Sequence, residues 1–309
     1  MANEISWANL ETDAGLAHYL SSRLHANLYD PTDLRRLMTR SDFMSGMGSE
    51  SAKTTTYTRG QTFAAASTEI SGGGSNKSIG SGNFVHTVSR RYMKWQVSDL
   101  WRLVAVNGSI DLDLLADIID EAAGLTCTDI LCSLFGSLSA TPVGSATAEF
   151  VVDYMYDAQY ALNDARCPAP YAAVLFPHCF NMFQDSARSE GGVVQWQAAT
   201  ADMISAKGPG FKGLWGNIEV WDCDSVNSDG GSTYKLNAMF GQGCFEFQEA
   251  PAVQVADALP ANVVSIVNDT IRIVHAYDAD NALTTVYGDY YPSVKEAEDA
   301  RGIQILALL

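Results

Sequence analysis

Charge is scarce in this sequence, and paired cysteine motifs are missing altogether. Charged side chains make up 18% of the 309 residues, below the ~25% of an average soluble domain. A surface with so few charges is covered by neutral polar groups or by other protein, a first pointer to assembly. The cysteines (Cys127, Cys132, Cys167, Cys179, Cys223 and Cys244) are dispersed, with no CxxC pair. That argues against a zinc site, whose ligands come at short spacing. They read as free thiols in a reducing compartment, packed as small hydrophobes. No apolar run approaches the ~20 residues that span a bilayer. Met1–Asp13 has neither a basic n-region nor an apolar h-region, so the expectation is a cytosolic chain with no membrane partner.

Basic residues are the minority sign, with 19 Lys and Arg against 36 Asp and Glu and a net charge of −17. Such a balance excludes steering onto nucleic acid or an anionic membrane by net charge.

The familiar catalytic motifs are also lacking. Gly72–Ser78 approaches a P-loop, but Asn76 stands where glycine should precede Lys77, and no apolar strand leads into it. No GxSxG and no HExxH occur. His178 and Cys179 are adjacent, yet neighbours on a helix point about 100° apart, poor geometry for a nucleophile and its base. Asp222–Gly230 has the composition of a calcium loop but fails its spacing and lacks the bidentate Glu. Asp113, Asp117 and Asp120 read as a solvated helix face. The expectation is a non-enzyme with no catalytic residue, no cofactor and no metal.

What the chain does have is an uneven charge distribution. Residues 1–39 carry −2, residues 40–94 carry +4, and residues 95–309 carry −19. The basic segment is rich in Thr (Thr54, Thr55, Thr56, Thr58) and in Gly (Gly72, Gly73, Gly74, Gly80, Gly82) and poor in large aliphatics. Thr, Tyr57 and Phe63 favour strands, and the glycine run favours a turn. The segment reads as a long two-stranded excursion with its tip near 71–82. An isolated hairpin is marginal in water, so a basic arm on an acidic body finds its partner on another copy. Lys53, Arg59, Lys77, Arg90 and Arg91 are the candidate intersubunit contacts.

Apolar spacing places the other elements. Leu10, Ala14, Ala17, Leu20, Leu24 and Leu28 form one helical face. A short second helix, opened by Asp30 and Pro31, carries Leu34, Leu37 and Met38. Phe84–Gln96 reads as a strand returning to the body, followed by a short helix through Leu100, Leu103 and Val104. The strongest helix runs from Leu112 through Ile119 toward Gly136, with Gly124 as a place where it can bend. Thr147 caps a helix from Phe150 to Leu162, and Cys167–Pro170 stops it. Tyr171–Phe176 is a buried strand, and Pro177 opens a helix ended by Gly191–Gly192. A glycine-rich turn over 208–216 precedes the strand Ile218–Trp221. Strands follow at Lys235–Phe240, Cys244–Phe247, 263–267, 271–277, 283–291 and 303–308. The last sixty residues are expected to pair with one another.

This order of parts resembles the major capsid proteins of tailed bacteriophages, which have the HK97-like fold. The resemblance spans nearly the whole chain. It is carried by Ala169–Pro177 with the proline-started helix after it, by Gly213–Asp222, and by Asn237–Phe247, similar to the family's late MFG-type strand. It implies an α+β fold with an N-terminal arm (1–39), an extended loop (40–96), a peripheral domain with a spine helix (97–138), an axial domain (139–247) and a peripheral β part (248–309). It further implies a structural subunit that self-assembles into hexamers and pentamers around double-stranded DNA, held only non-specifically. The implied partners are the chain itself, a separate scaffolding protein, a portal and a decoration protein. The location is the virion, assembled in the host cytoplasm. Lysine–asparagine crosslinking, known in some members, is not carried over, since no acceptor or catalytic acid matches. An encapsulin-type nanocompartment shell is the alternative, and an enzyme of unrecognised class a more distant one.

Overall fold

In a computed structural model the described residues are 4–5, 33–40, 51–57, 81–87, 89–99, 112–189, 196–228, 233–250, 263–268 and 271–309. The expected helix over Leu10–Leu28, the helix through Leu100–Val104 and the Gly191–Gly192 stop lie outside them, as do residues 71–80 of the tip expected near 71–82, whose last two residues belong to a strand.

The strands, in chain order, are β1 (Glu4–Ile5), β2 (Thr39–Arg40), β3 (Ser51–Tyr57), β4 (Ser81–Thr87), β5 (Arg91–Ser98), β6 (Val143–Gly144), β7 (Tyr171–Leu175), β8 (Trp196–Ala198) and β9 (Phe211–Trp215). They continue with β10 (Ile218–Asp222), β11 (Tyr234–Gly241), β12 (Phe245–Glu249), β13 (Val263–Asn268), β14 (Ile271–Asp278), β15 (Leu283–Tyr290), β16 (Pro292–Glu296) and β17 (Gly302–Leu308). The helices are α1 (Leu112–Leu134), α2 (Val152–Asp164), α3 (Pro177–Ser189) and α4 (Ala201–Lys207). No described helix is long and apolar enough to cross a membrane.

A seven-stranded mixed sheet, ordered β6-β17-β11-β7-β10-β9-β8, forms the centre. β7 is its innermost strand, antiparallel to β11 and parallel to β10. Side chains alternate across a strand, and here the alternation divides two cores. Ala172 and Val174 of β7 join Ala238 and Phe240 of β11 beneath α1. Tyr171, Ala173 and Leu175 join Met239, Ile303 and Ile305 beneath α2 and α3. A strand buried on both faces reads as a continuous apolar run, as Tyr171–Leu175 does.

α1 runs unbroken for 23 residues through Gly124, about 35 Å at ~1.5 Å per residue. Ile119, Ala123, Cys127, Leu131 and Phe135 repeat at steps of four and are buried. Phe135 packs against the Phe240–Phe245 pair, with ring centroids 6.0 Å from each. All six cysteines are buried and free of disulfides.

Several expectations change in three dimensions. α2 begins at Val152 rather than Phe150 and is not capped by Thr147; its first N–H donates to Ser186 Oγ of α3 at 3.1 Å. The cap therefore comes from a helix 34 residues away in sequence. The second helix of the arm shrinks to a single 3-10 turn, Arg35–Leu37. Phe84–Gln96 is two strands, β4 and β5, that belong to different sheets. The glycine-rich stretch over 208–216 contains a strand, β9. Its Gly213 has φ +152°, and an added Cβ would lie 2.3 Å from Gln197 O of β8. β16, β8 and α4 have no counterpart in the sequence reading.

Pairing within the last sixty residues holds for β13, β14 and β15. It fails for the final strand. β17 pairs with β11 from Tyr234↔Leu308 to Phe240↔Gly302, because its apolar residues fill the core beneath α2.

Candidate assembly surface

The basic segment begins as a two-stranded excursion. β3 and β4 pair antiparallel from Ser51↔Thr87 to Tyr57↔Ser81. Seven residues at ~3.4 Å each make a ribbon of about 24 Å, matching the hairpin expected from the Thr and Gly content. Lys53 sits on β3 opposite Val85. Arg59 and Lys77 lie outside the described residues.

The ribbon is anchored at its base. His86 of β4 is fully buried against the three-stranded sheet β16-β12-β2. Its Nδ1 lies 3.1 Å from Ser293 Oγ, and its Nε2 lies 3.6 Å from Glu246 Oε1. Burial lowers the His86 pKa; Glu246 opposes that shift and Lys295 adds to it.

Arg90 and Arg91 follow, and their environments differ. Arg90 donates from Nε to Asp289 Oδ1 at 2.7 Å, with Nη2 at 2.6 Å from the same oxygen. Arg272 Nη2 reaches Asp289 Oδ2 at 2.5 Å. Asp289 is 0% exposed, so two guanidiniums, one from the connection just before β5 and one from β14, neutralise one buried carboxylate of β15. Such charge-assisted bonds are the strong kind. Hydrogen bonding to Asp289 raises the pKa of both arginines, against their partial burial. Arg90 thus works within its own chain, tying the segment after the hairpin to β15. Arg91 is exposed, and no ion pair to it exists among the described residues. The stretch Arg91–Lys94 presents Tyr92, 67% exposed, and Met93, 37% exposed, to the outside, and the Arg90 guanidinium lies 5.3 Å from the Tyr92 ring centroid.

The segment before the hairpin has its own anchor. Leu34 is wholly buried, and its N–H donates to Thr128 Oγ1 of α1 at 3.2 Å. Glu249 gathers Arg35 at 3.7 Å and Arg40 at 3.5 Å, and it accepts from Tyr290 OH at 2.5 Å. Burial would lower the Arg35 pKa, but the Asp33 carboxylate beside it outweighs this and holds it raised. Residues 33–40 and residues 86–90 therefore fix both ends of the excursion to one body.

Asp289, Arg272, His86, Glu246, Ser293 and Glu249 were not singled out by sequence. The Arg90–Asp289 and His86–Ser293 contacts span 199 and 207 positions, and no local motif marks them. His178 is exposed while Cys179 is buried, so the two point apart. Asp222 pairs with Lys212 at 3.5 Å at the edge of β10, and burial raises its carboxyl pKa. No metal-binding cluster of His, Cys, Asp or Glu exists among the described residues.

No protein-family model matches the sequence, and no curated protein matches it. Solved structures do match its fold. The capsid protein of cyanophage P-SCSP1u superposes with TM-score 0.58 at 9% identity, covering 90% of this chain and 88% of that one. The SrpI encapsulin of Synechococcus elongatus PCC 7942 does so with TM-score 0.57 at 11% identity, over 90% and 88%. The capsid of Ralstonia phage GP4 gives 0.56 at 10% identity, over 88% and 87%. Coverage near nine-tenths on both sides means that the likeness is one of the whole fold and not of a single part. The chain has the HK97-like fold of tailed-phage capsid subunits and of an encapsulin shell.

Proposed function

We propose that this chain is the major capsid subunit of a tailed bacteriophage, assembling into hexamers and pentamers that close an icosahedral shell around double-stranded DNA. One observation carries the reading: a two-stranded ribbon, set in a segment (40–94) of net charge +4 and anchored at both ends, belongs to a strongly acidic body that has the fold of shell-forming subunits. A ribbon of this length finds no apolar face of its own to bury. Opposite charges on ribbon and body make one copy complementary to the next, and repetition around a ring multiplies weak contacts. The acidic body also keeps enclosed DNA from adhering.

In this reading 1–39 is the arm, 40–96 the intersubunit loop, 97–138 and 248–309 the peripheral part, and 139–247 the axial part, with β17 crossing into the axial sheet. Lys53, Arg59, Lys77 and Arg91 are the intersubunit cations, and Arg90 serves its own subunit. The role is structural rather than catalytic. A scaffolding protein, a portal and a decoration protein are the partners of such a shell, and assembly takes place in the host cytoplasm. The encapsulin likeness supports a second reading, a cargo-holding compartment.

Electron microscopy of the expressed chain, alone and with a co-expressed scaffold-like neighbour gene product, tests both. Closed shells or capsomer rings that need the scaffold support the phage reading. Small uniform shells from the chain alone favour the compartment. Monomers under both conditions refute assembly.

A further inference from the structure

The His86 cluster has the composition of a nucleophile, a base and an acid, yet it has no access. Ser293 is 5% and Glu246 8% exposed, and His86 is fully enclosed. No substrate reaches Ser293 Oγ, so the cluster serves the place where it sits, the base of the ribbon. There β4 packs on β16.

The groups around the ring come from every element at that base. β16 supplies Ser293 and Lys295, and β12 supplies Glu246, with Gln248 Nε2 donating to Glu246 Oε1 at 3.2 Å. β2 places Thr39 opposite Glu246 and sends Arg40 to Glu249 instead. β3 places uncharged Ala52 opposite His86. A neutral imidazole suits this enclosure, and a charged one must give up its hydration there.

We propose that His86 is an acid-sensitive latch: neutral, it seats the base of the β3–β4 ribbon on the three-stranded sheet, and protonated, it releases the ribbon from its own subunit. The sign follows from the surroundings. Burial holds the docked ring below its ordinary pKa, Lys295 adds to this, and the Glu246 carboxylate offsets part of it. A released ring regains solvent and takes the proton more readily. Docking is therefore fully favoured above the ordinary histidine range near ~6.5, and it weakens as pH falls from there toward the docked pKa. Each unit between docked and released pKa values changes the docking equilibrium about tenfold. A ribbon freed in this way reaches further toward a neighbouring copy. That consequence rests on the capsid reading, whereas the latch itself does not.

The test uses the full-length chain as free subunits. Amide hydrogen-exchange protection factors are measured for Ser81–Thr87 at about pH 7.5 and about pH 5.5. The intrinsic pH dependence of exchange is divided out, and the amides of β11 serve as the internal reference. The wild-type ribbon is expected to lose protection several-fold in acid relative to β11. His86→Gln keeps a polar side chain but cannot take the proton, and its acid loss disappears. Glu246→Gln removes the carboxylate that attracts the imidazolium, and its acid loss grows. A wild-type ribbon with unchanged protection overturns the latch, as does a His86→Gln chain that keeps the acid loss. If His86→Gln does not fold, Glu246→Gln decides: a shallower loss than wild type overturns the proposal. Shell formation is not the readout, so failure of the latch leaves the capsid reading standing, and the reverse.

Discussion

Arg90 was expected to act between subunits, and the structure gives it a partner inside its own. The charge reversal Arg90→Glu separates these roles. In the native chain the Arg90 guanidinium holds Asp289 Oδ1 at 2.6 and 2.7 Å, and Asp289 is 0% exposed. Losing charge-assisted bonds to a buried carboxylate costs about 1.5–3 kcal/mol. The new carboxylate adds repulsion: two like charges ~6 Å apart at an effective dielectric of ~20 interact by about 3 kcal/mol. The Arg90 side chain is 51% exposed, so water screens a large share of that repulsion. Arg272 stays at 2.5 Å and keeps Asp289 from being wholly unpaired. The net expectation is a loss of about 3 kcal/mol, dominated by the missing bonds. A chain of this size translates that into a fall of about 5 °C in the unfolding midpoint. Differential scanning calorimetry on the free subunit measures it. Arg91→Glu is the control, since its exposed side chain should move stability by no more than ~0.5 kcal/mol. A midpoint for Arg90→Glu within about 1 °C of wild type would refute the argument and show that Arg272 alone satisfies Asp289. It follows that Arg59→Glu with Arg91→Glu is the cleaner assembly test. That pair should block shells seen by microscopy while leaving the subunit's midpoint in place.

Other expectations rest on different contacts. Leu34→Ala should cost about 2–5 kcal/mol of stability in denaturant unfolding, because Leu34 is wholly buried beside α1 and anchors the segment before the ribbon. Asn237→Ala should cost about 1–3 kcal/mol: its Oδ1 accepts from Phe176 N–H at 2.7 Å, and its Nδ2 donates to Ile305 O at 3.3 Å. The thiols should be inert in the native chain. Burial pushes the Cys127 thiol up to about 12 and raises Cys244 as well, and the thiolate is the reactive form. A chromogenic disulfide reagent at neutral pH should therefore titrate no thiol in the folded subunit and all of them in denaturant. Rapid labelling of one native cysteine would show that its enclosure opens.

The sequence by itself determined the local elements whose signals are local. Period-four apolar residues made α1, and a continuous apolar run made β7. A proline at a first helical turn opened α3, and Thr- and Gly-rich composition made the ribbon. It also determined the charge asymmetry, since charges add up whatever the fold. The tertiary structure decided everything that depends on distant partners. The start of α2 was set by Ser186, because an orphan N–H takes whichever acceptor the packing brings. β17 joined β11 rather than the neighbouring hairpins, because its apolar face fits the core under α2. The fate of Arg90, the enclosure of His86 and the convergence of Arg35 and Arg40 on Glu249 were invisible in sequence for the same reason. Each is a meeting of polar groups far apart in sequence, and only the folded chain brings them together.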